Sequence, residues 1–359
     1  MKYIFICLIF LISSGCITSF DLELDANEFL LVVDGKITQK NASHELFLMR
    51  SNRNGLLLSN PVTKAKVTLF DENGNSEQYI ENGEGKYVFY GESMPRNPGI
   101  SYFIEIELQN NKKYRSRAQV MPDVVKPEKA YYELAKIEEV DDPENVIFKR
   151  YLNIFVDTPV QNNNQKYYFT WRIDHAYSFT EIQCPPPPNQ PPKTPVKCFI
   201  SRKFINDDIK IFSSENLSGG VLEGFRVASV YLYPDWEFYE KHFYNIAQHS
   251  ITYEAYTYWE TVKKVAQSTG SIFDTPPAPI NGNIYNVNDP DERVLGFFEV
   301  SAVDTIRTYT FNEDLEPISI RNPCPFERYL PRHWACCNCL TIPDSHLERP
   351  GYWSYLHDE

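Results

Sequence analysis

Three cysteines in four positions, Cys336, Cys337 and Cys339, follow His333 near the end of this 359-residue chain. Thiols so crowded have three chemistries open to them: metal ligation, thiol–disulfide exchange, or structural cross-linking. Cys324, His333, Cys336 and Cys339 together have the composition of a zinc set. A redox Cys-x-x-Cys needs a thiolate stabilised at a helix start, and the preceding Pro331-Arg332-His333-Trp334 gives no helix signal. Cross-linking needs an oxidising compartment, and the other end of the chain speaks to that.

Lys2 precedes an apolar run from Tyr3 to Ile12, followed by Ser13-Ser14-Gly15-Cys16. This is the layout of a secretory signal over residues 1–15, too short to span a bilayer as a permanent helix. Its ending resembles a bacterial lipobox, in which the cysteine is acylated and becomes the first residue of the mature chain; here Ser13 stands where that pattern usually has leucine. Cys16 is the expected lipidation site, since two or more acyl chains anchor a protein stably. With Cys7 removed and Cys16 acylated, Cys184, Cys198, Cys324, Cys336, Cys337 and Cys339 remain. An even set in an oxidising compartment points to structural disulfides. Adjacent Cys336 and Cys337 are expected to take different partners, with Cys324 nearby for one of them. Cys184 is expected to bond Cys198 across a proline-rich loop, a ring of about 15 residues worth roughly 3 kcal/mol.

The elements that must position these residues read as mainly β. The chain holds 24 Tyr, 23 Phe and 25 Pro against 15 Gly, a mixture that favours strands and stiff loops over a helical bundle. Residues 16–25 form an acidic tether. Residues 26–122 then alternate with period two, as in Ala65, Val67 and Leu69 against Lys64, Lys66 and Thr68, with turns at Asn73-Gly74 and Asn110-Asn111. This predicts an N-terminal β-sandwich, which resembles the carboxypeptidase-regulatory or Ig-like fold. A larger β-rich domain is expected over 123–320, in which the runs 148–159 and 165–179 read as paired strands, with a Cys-rich tail over 321–359. One amphipathic helix is predicted near 250–268, with Ile251, Ala255, Tyr258, Trp259, Val262, Val265 and Ala266 on one face, Ser250 as its N-cap and Gly270 as its stop.

Other chemistry is faint. No G-x-S-x-G, H-E-x-x-H or P-loop pattern occurs, so no catalytic residue, cofactor or metal is assigned. Asp289, Asp291 and Glu292 could offer oxygens to calcium, but the twelve-residue loop pattern is missing and a solvated turn is expected. A formal charge of −13 without a dense Lys/Arg cluster argues against nucleic acid as a partner. Trp236, Tyr239 and Tyr244 are candidate contact residues, with core packing as the alternative. Asp304-Thr305-Ile306 resembles a short bacterial O-glycosylation acceptor, which would place a sugar on Thr305.

Several stretches carry a family resemblance: the signal cysteine, "LVVDGKIT", "PVTKAKVTLFDENG", "SITYEAYTYW", "FDTPPAPINGNIYNV" with "VLGFFEVSA", and the closing cysteines with "RPGYW". On these the chain resembles the domain of unknown function 4249 family. Cys336 and Cys339 match its Cys-x-x-Cys, and Cys337 is an addition. The resemblance implies an outer-membrane lipoprotein of the Bacteroidota with no established enzyme activity, often accompanying a TonB-dependent transporter. The expectation is therefore a non-enzymatic accessory or binding component of nutrient uptake, lipid-anchored to the outer membrane. The alternatives are a surface hydrolase acting on glycan or peptide, and a structural or adhesive envelope protein. Asp21 follows Cys16 only after Ile17–Phe20, which leaves both the periplasmic and the surface face open.

Overall fold

The computed structural model describes residues 30–353, except 52–59, 92, 143–144, 161–164, 187, 190, 204–207, 216, 218–219, 233–235, 268–279, 317, 319 and 326–331. The signal, Cys16 and the acidic tether lie outside the described residues, as does Gly270. In chain order the strands are β1 (Leu31–Thr38), β2 (His44–Arg50), β3 (Asn60–Pro61), β4 (Lys66–Asp71), β5 (Ser76–Gln78), β6 (Ile80–Glu81), β7 (Lys86–Phe89), β8 (Ser101–Glu107), β9 (Lys113–Ser116) and β10 (Gln119–Val120). There follow β11 (Lys129–Asp142), β12 (Asn145–Val160), β13 (Tyr168–Thr180), β14 (Lys197–Lys203), β15 (Ile211–Ser213), β16 (Gly220–Leu232), β17 (His242–Ser250), helix α1 (Tyr253–Gln267), β18 (Ile284–Asn286), β19 (Leu295–Thr310) and β20 (Ser345–His346).

The fold is mainly β, built from several sheets. The largest runs β20-β14-β13-β17-β19-β1-β2-β7-β6, with β15 beside β13 and β3 beside β2. A second runs β18-β9-β8-β4-β5, with β10 beside β8, and a third is β11-β12-β16. The turns at 73–74 and 110–111 close the β4–β5 and β8–β9 hairpins; Gly74 and Asn111 take positive φ there, +85° and +62°. The run 148–159 does not pair with 165–179. β12 pairs with β11 and β16, whereas β13 pairs with β14, β15 and β17. Period-two alternation marks both runs as strands and is silent about their neighbours.

The decisive connection is between β1 and β19. They pair in parallel, Val32 with Leu295 through Thr38 with Ser301, so one sheet crosses the division expected at residue 122. The core beneath it is shared too. Val33 and Ile37 of β1, Val67 and Leu69 of β4, and Ile104 and Ile106 of β8 cluster with Phe298 and Val300 of β19 and with Ile284 of β18. A second core joins Leu152, Ile154 and Val156 of β12 to Trp171, Ile173 and Ile246 of the large sheet.

The stretch Asn281–Ala302, among the most telling of the family resemblance, is a clasp at this crossing. Asn283 donates from Nδ2 to the Phe298 carbonyl (2.8 Å) and accepts from the Phe298 N–H (2.9 Å). Gly282 lies so near β19 that a Cβ would fall 1.7 Å from the Gly296 oxygen. Gly296 has φ +92°, and a Cβ there would fall 1.9 Å from the Val33 oxygen. Only glycine admits that approach.

Helix α1 matches the expected segment with a different cap. Ser250 is the last residue of β17, and Thr252 Oγ1 accepts the Ala255 N–H (3.1 Å) instead. Ile251 and Ala255 are buried against Phe297, with Tyr258 and Trp259 half-buried beside them. Among the described residues no helix is long and apolar enough to cross a membrane.

Candidate functional site

The cysteines resolve first. Cys184 bonds Cys337, Cys198 bonds Cys339 and Cys324 bonds Cys336. Neighbouring Cys336 and Cys337 do take different partners, and Cys324 is one of them. The expected Cys184–Cys198 bond does not form. Each instead reaches the tail, because Cys198 lies in β14 and points into a buried cluster with Cys324, Cys336 and Cys339. The zinc set is not formed either: its three sulfurs are committed to disulfides, and His333 Nδ1 accepts the Ala335 N–H (3.2 Å) at the start of a short 3-10 turn. Glu181 fastens the two loops together. One oxygen accepts the Cys339 N–H and the Lys193 ammonium, both at 2.8 Å, and the other accepts the Val196 N–H (3.3 Å). Loop and tail form one stapled unit.

The aromatic candidates are mostly structural. Tyr244 is buried in the second core, with 1% of its surface exposed, so it offers nothing to a partner. Trp236 is half-buried, edge-on to Tyr177 and Phe179 and 4.4 Å from the His333 ring. Tyr239 is half-buried against the second core. Near them His175 Nδ1 and His242 Nε2 lie 2.9 Å apart, and His242 Nδ1 is 3.2 Å from the Glu237 carbonyl. Burial holds both imidazoles down, to about 4 for His175 and about 3 for His242, so both are neutral and the pair is a packed hydrogen-bonded contact. Glu292 is engaged within the protein: it accepts from Lys112 Nζ (2.8 Å), Tyr114 Oη (2.8 Å) and Asn286 Nδ2 (2.6 Å), locking β18 to β9. Thr305 is half-buried in mid-strand opposite Ala247.

What the sequence reading missed is a polar face of the large sheet. On β1, Asp34 and Lys36 face away from the core. Register places Phe297, Glu299 and Ser301 of β19 on the same side, followed by His249, Ala247 and Asn245 of β17, Arg172 and Asp174 of β13, and Lys203 of β14. Both ends of this face are covered. At one, α1 stacks Tyr258 on Phe297 (centroids 4.7 Å apart) and Trp259 Nε1 donates to Glu299 (2.8 Å). At the other, the "RPGYW" segment lays Trp353 against Phe243 and Phe199, while Tyr352 Oη accepts from Asn245 Nδ2 (3.2 Å) under the Arg307 guanidinium.

Between the covers lies a recess of about 310 Å³ floored by Thr170, Arg172 and Asp174 and walled by Lys203, the 208–210 segment and Trp259. Among the described residues, Arg172, Asp174 and Lys203 close no ion pair or side-chain hydrogen bond. Lys210, by contrast, is paired to Asp208. Asp34 and Asp174 reach water, yet the protein crowded around them raises both carboxyls by desolvation, against the pull of Arg172 on the first and of Lys203 on the second. Lys36 is pushed down to about 8, first by burial and then by the Arg172 guanidinium. Charges of both signs thus stand open on a rigid sheet. The alternating sequences "VDGK" and "TWRID" announce a polar strand face; that two such faces, far apart in sequence, share one sheet is a matter of pairing.

A family model described as a domain of unknown function (DUF4249) matches residues 17–307. The chain belongs to that family. The match covers the clasp, the helix and the polar face, and ends before the tail cysteines. Among curated proteins none matches the chain.

Proposed function

We propose that this member of the domain of unknown function 4249 family is an outer-membrane lipoprotein, anchored through Cys16, that binds a ligand rather than transforming it and works beside a TonB-dependent transporter. The observation that carries the reading is the cysteine pattern. All six cysteines after Cys16 bond one another, which suits an oxidising, exported compartment and leaves Cys16 outside the structural set. A recess with open charges on a rigid sheet is what a binding protein needs, since fixed groups lose little freedom on capture. The stapled loop and tail add a stiff surface at the edge of the same sheet, through β14 and β20.

The test of the anchor is metabolic labelling with an alkynyl fatty acid. The native protein should take up label and sediment with outer membranes, and Cys16→Ala should do neither. A native protein that stays unlabelled and soluble would contradict the anchor.

A further inference from the structure

We propose that the recess between β13, β14 and α1 binds a short zwitterionic peptide, its carboxylate held by Arg172 and Lys203 and its ammonium by Asp174. This rests on the binding-protein reading and names its ligand class. Two open cations and one open carboxylate line the recess, and the ligand has to answer both signs. A simple anion would satisfy Arg172 and Lys203 while bringing a second negative charge beside Asp174. A simple cation would do the reverse. A neutral sugar would hydrogen-bond these groups through its hydroxyls but would neutralise none of the three charges. A zwitterion meets all three.

Spacing selects the peptide over the free amino acid. Arg172 and Asp174 are two residues apart on one strand face, so their Cα atoms lie about 6.6–6.8 Å apart. An extended peptide advances about 3.3–3.6 Å per residue, so the termini of a di- or tripeptide match that separation, whereas a free amino acid carries both charges on one Cα. At about 310 Å³ the recess is at the small end of ligand pockets, which limits the peptide to a few residues. Ala247, the register neighbour of Arg172, leaves the floor low on that side. The Trp259 indole, fixed by its bond to Glu299, gives an apolar wall for one side chain.

The test is titration calorimetry on the full-length protein in detergent, using trialanine, its Nα-acetyl and C-amide derivatives, and maltose. Trialanine should bind saturably. Arg172→Gln and Asp174→Asn should each weaken it by roughly tenfold or more, the loss expected for one charge-assisted hydrogen bond. Both side chains are exposed, so the melting temperature should stay at the native value and show that the fold is kept. Acetylation should weaken binding to the native protein and add little in Asp174→Asn, which pairs the ammonium with that carboxylate. The proposal is overturned if trialanine gives no saturable binding at millimolar concentration, if it binds but neither variant weakens it, or if maltose binds in its place. Fatty-acid labelling of the same preparation separates the two ideas: labelled protein that ignores trialanine removes the ligand class and leaves the anchored-protein reading standing.

Discussion

Removing the Cys184–Cys337 bond should cost much less than its place in the sequence suggests. The bond spans 153 residues and Cys198–Cys339 spans 141, and in the chain-entropy account a ring of either size, formed alone, is worth about 5 kcal/mol. The two are nested closely. With Cys198–Cys339 intact, the shortest route between Cys184 and Cys337 runs from Cys184 to Cys198, across the bond, and back from Cys339, an effective ring of about 16 residues. Paired Cys184→Ser and Cys337→Ser substitutions should therefore cost about 3 kcal/mol, and loss of both bonds at least about 8 kcal/mol. The outer bond is the cleaner probe because Cys337 is exposed, whereas Cys198 and Cys339 are fully buried and their removal adds lost packing. Urea unfolding of the native protein and the two paired variants measures this. A cost near 5 kcal/mol for the outer bond alone would show that the two rings are not nested in this way.

Gly296→Ala should be severely destabilising, by several kcal/mol or to the point of no soluble protein, because the new methyl would fall on the Val33 carbonyl at a positive φ; Gly351→Ala, with open space around it, serves as the control for thermal melting. Glu292→Ala leaves three donors without an acceptor and should cost about 2–3 kcal/mol, with faster hydrogen exchange in β18 as its local signature. Burial raises the Glu292 carboxyl, but the bonds from Lys112, Tyr114 and Asn286 outweigh it and the net shift is downward. Its stabilising share is therefore present above the ordinary glutamate pKa and lost as pH falls below it; in Glu292→Gln that part of the acid dependence should vanish. The buried histidines act at higher pH. Burial holds His44 and His175 down to about 4 and His242 to about 3, so the unfolded chain binds more protons than the folded one below the ordinary histidine pKa of about 6.5. The melting temperature should begin to drop as pH falls through about 6.5 and keep dropping to about 4; a flat profile down to the carboxylate range would contradict the neutral imidazoles.

Local pattern made much of this fold legible. Alternation at Ala65, Val67 and Leu69, the turns at Asn73-Gly74 and Asn110-Asn111, and the helical spacing from Ile251 to Trp259 each reflect contacts within a few residues. The parallel pairing of β1 with β19 does not, since its partners lie more than 250 residues apart and no local signal names a neighbour. The polar face was hidden for the same reason. Asp34 and Lys36 look like an ordinary solvated strand edge until β19 and β17 bring Arg172 and Asp174 into the same sheet. The cysteines show the limit most plainly: their even number, with an oxidising compartment expected from the signal, pointed to disulfides, but proximity in sequence favoured Cys184–Cys198, and the fold draws both to the tail.

We propose that this protein is a membrane-anchored binding partner of a transporter. The most direct test is purification of the lipidated protein from native outer membranes in mild detergent, with mass spectrometry of what comes with it. A TonB-dependent transporter should appear in stoichiometric amount and be released when Cys16→Ala detaches the protein from the membrane. A protein that purifies alone from membranes containing that transporter would contradict it.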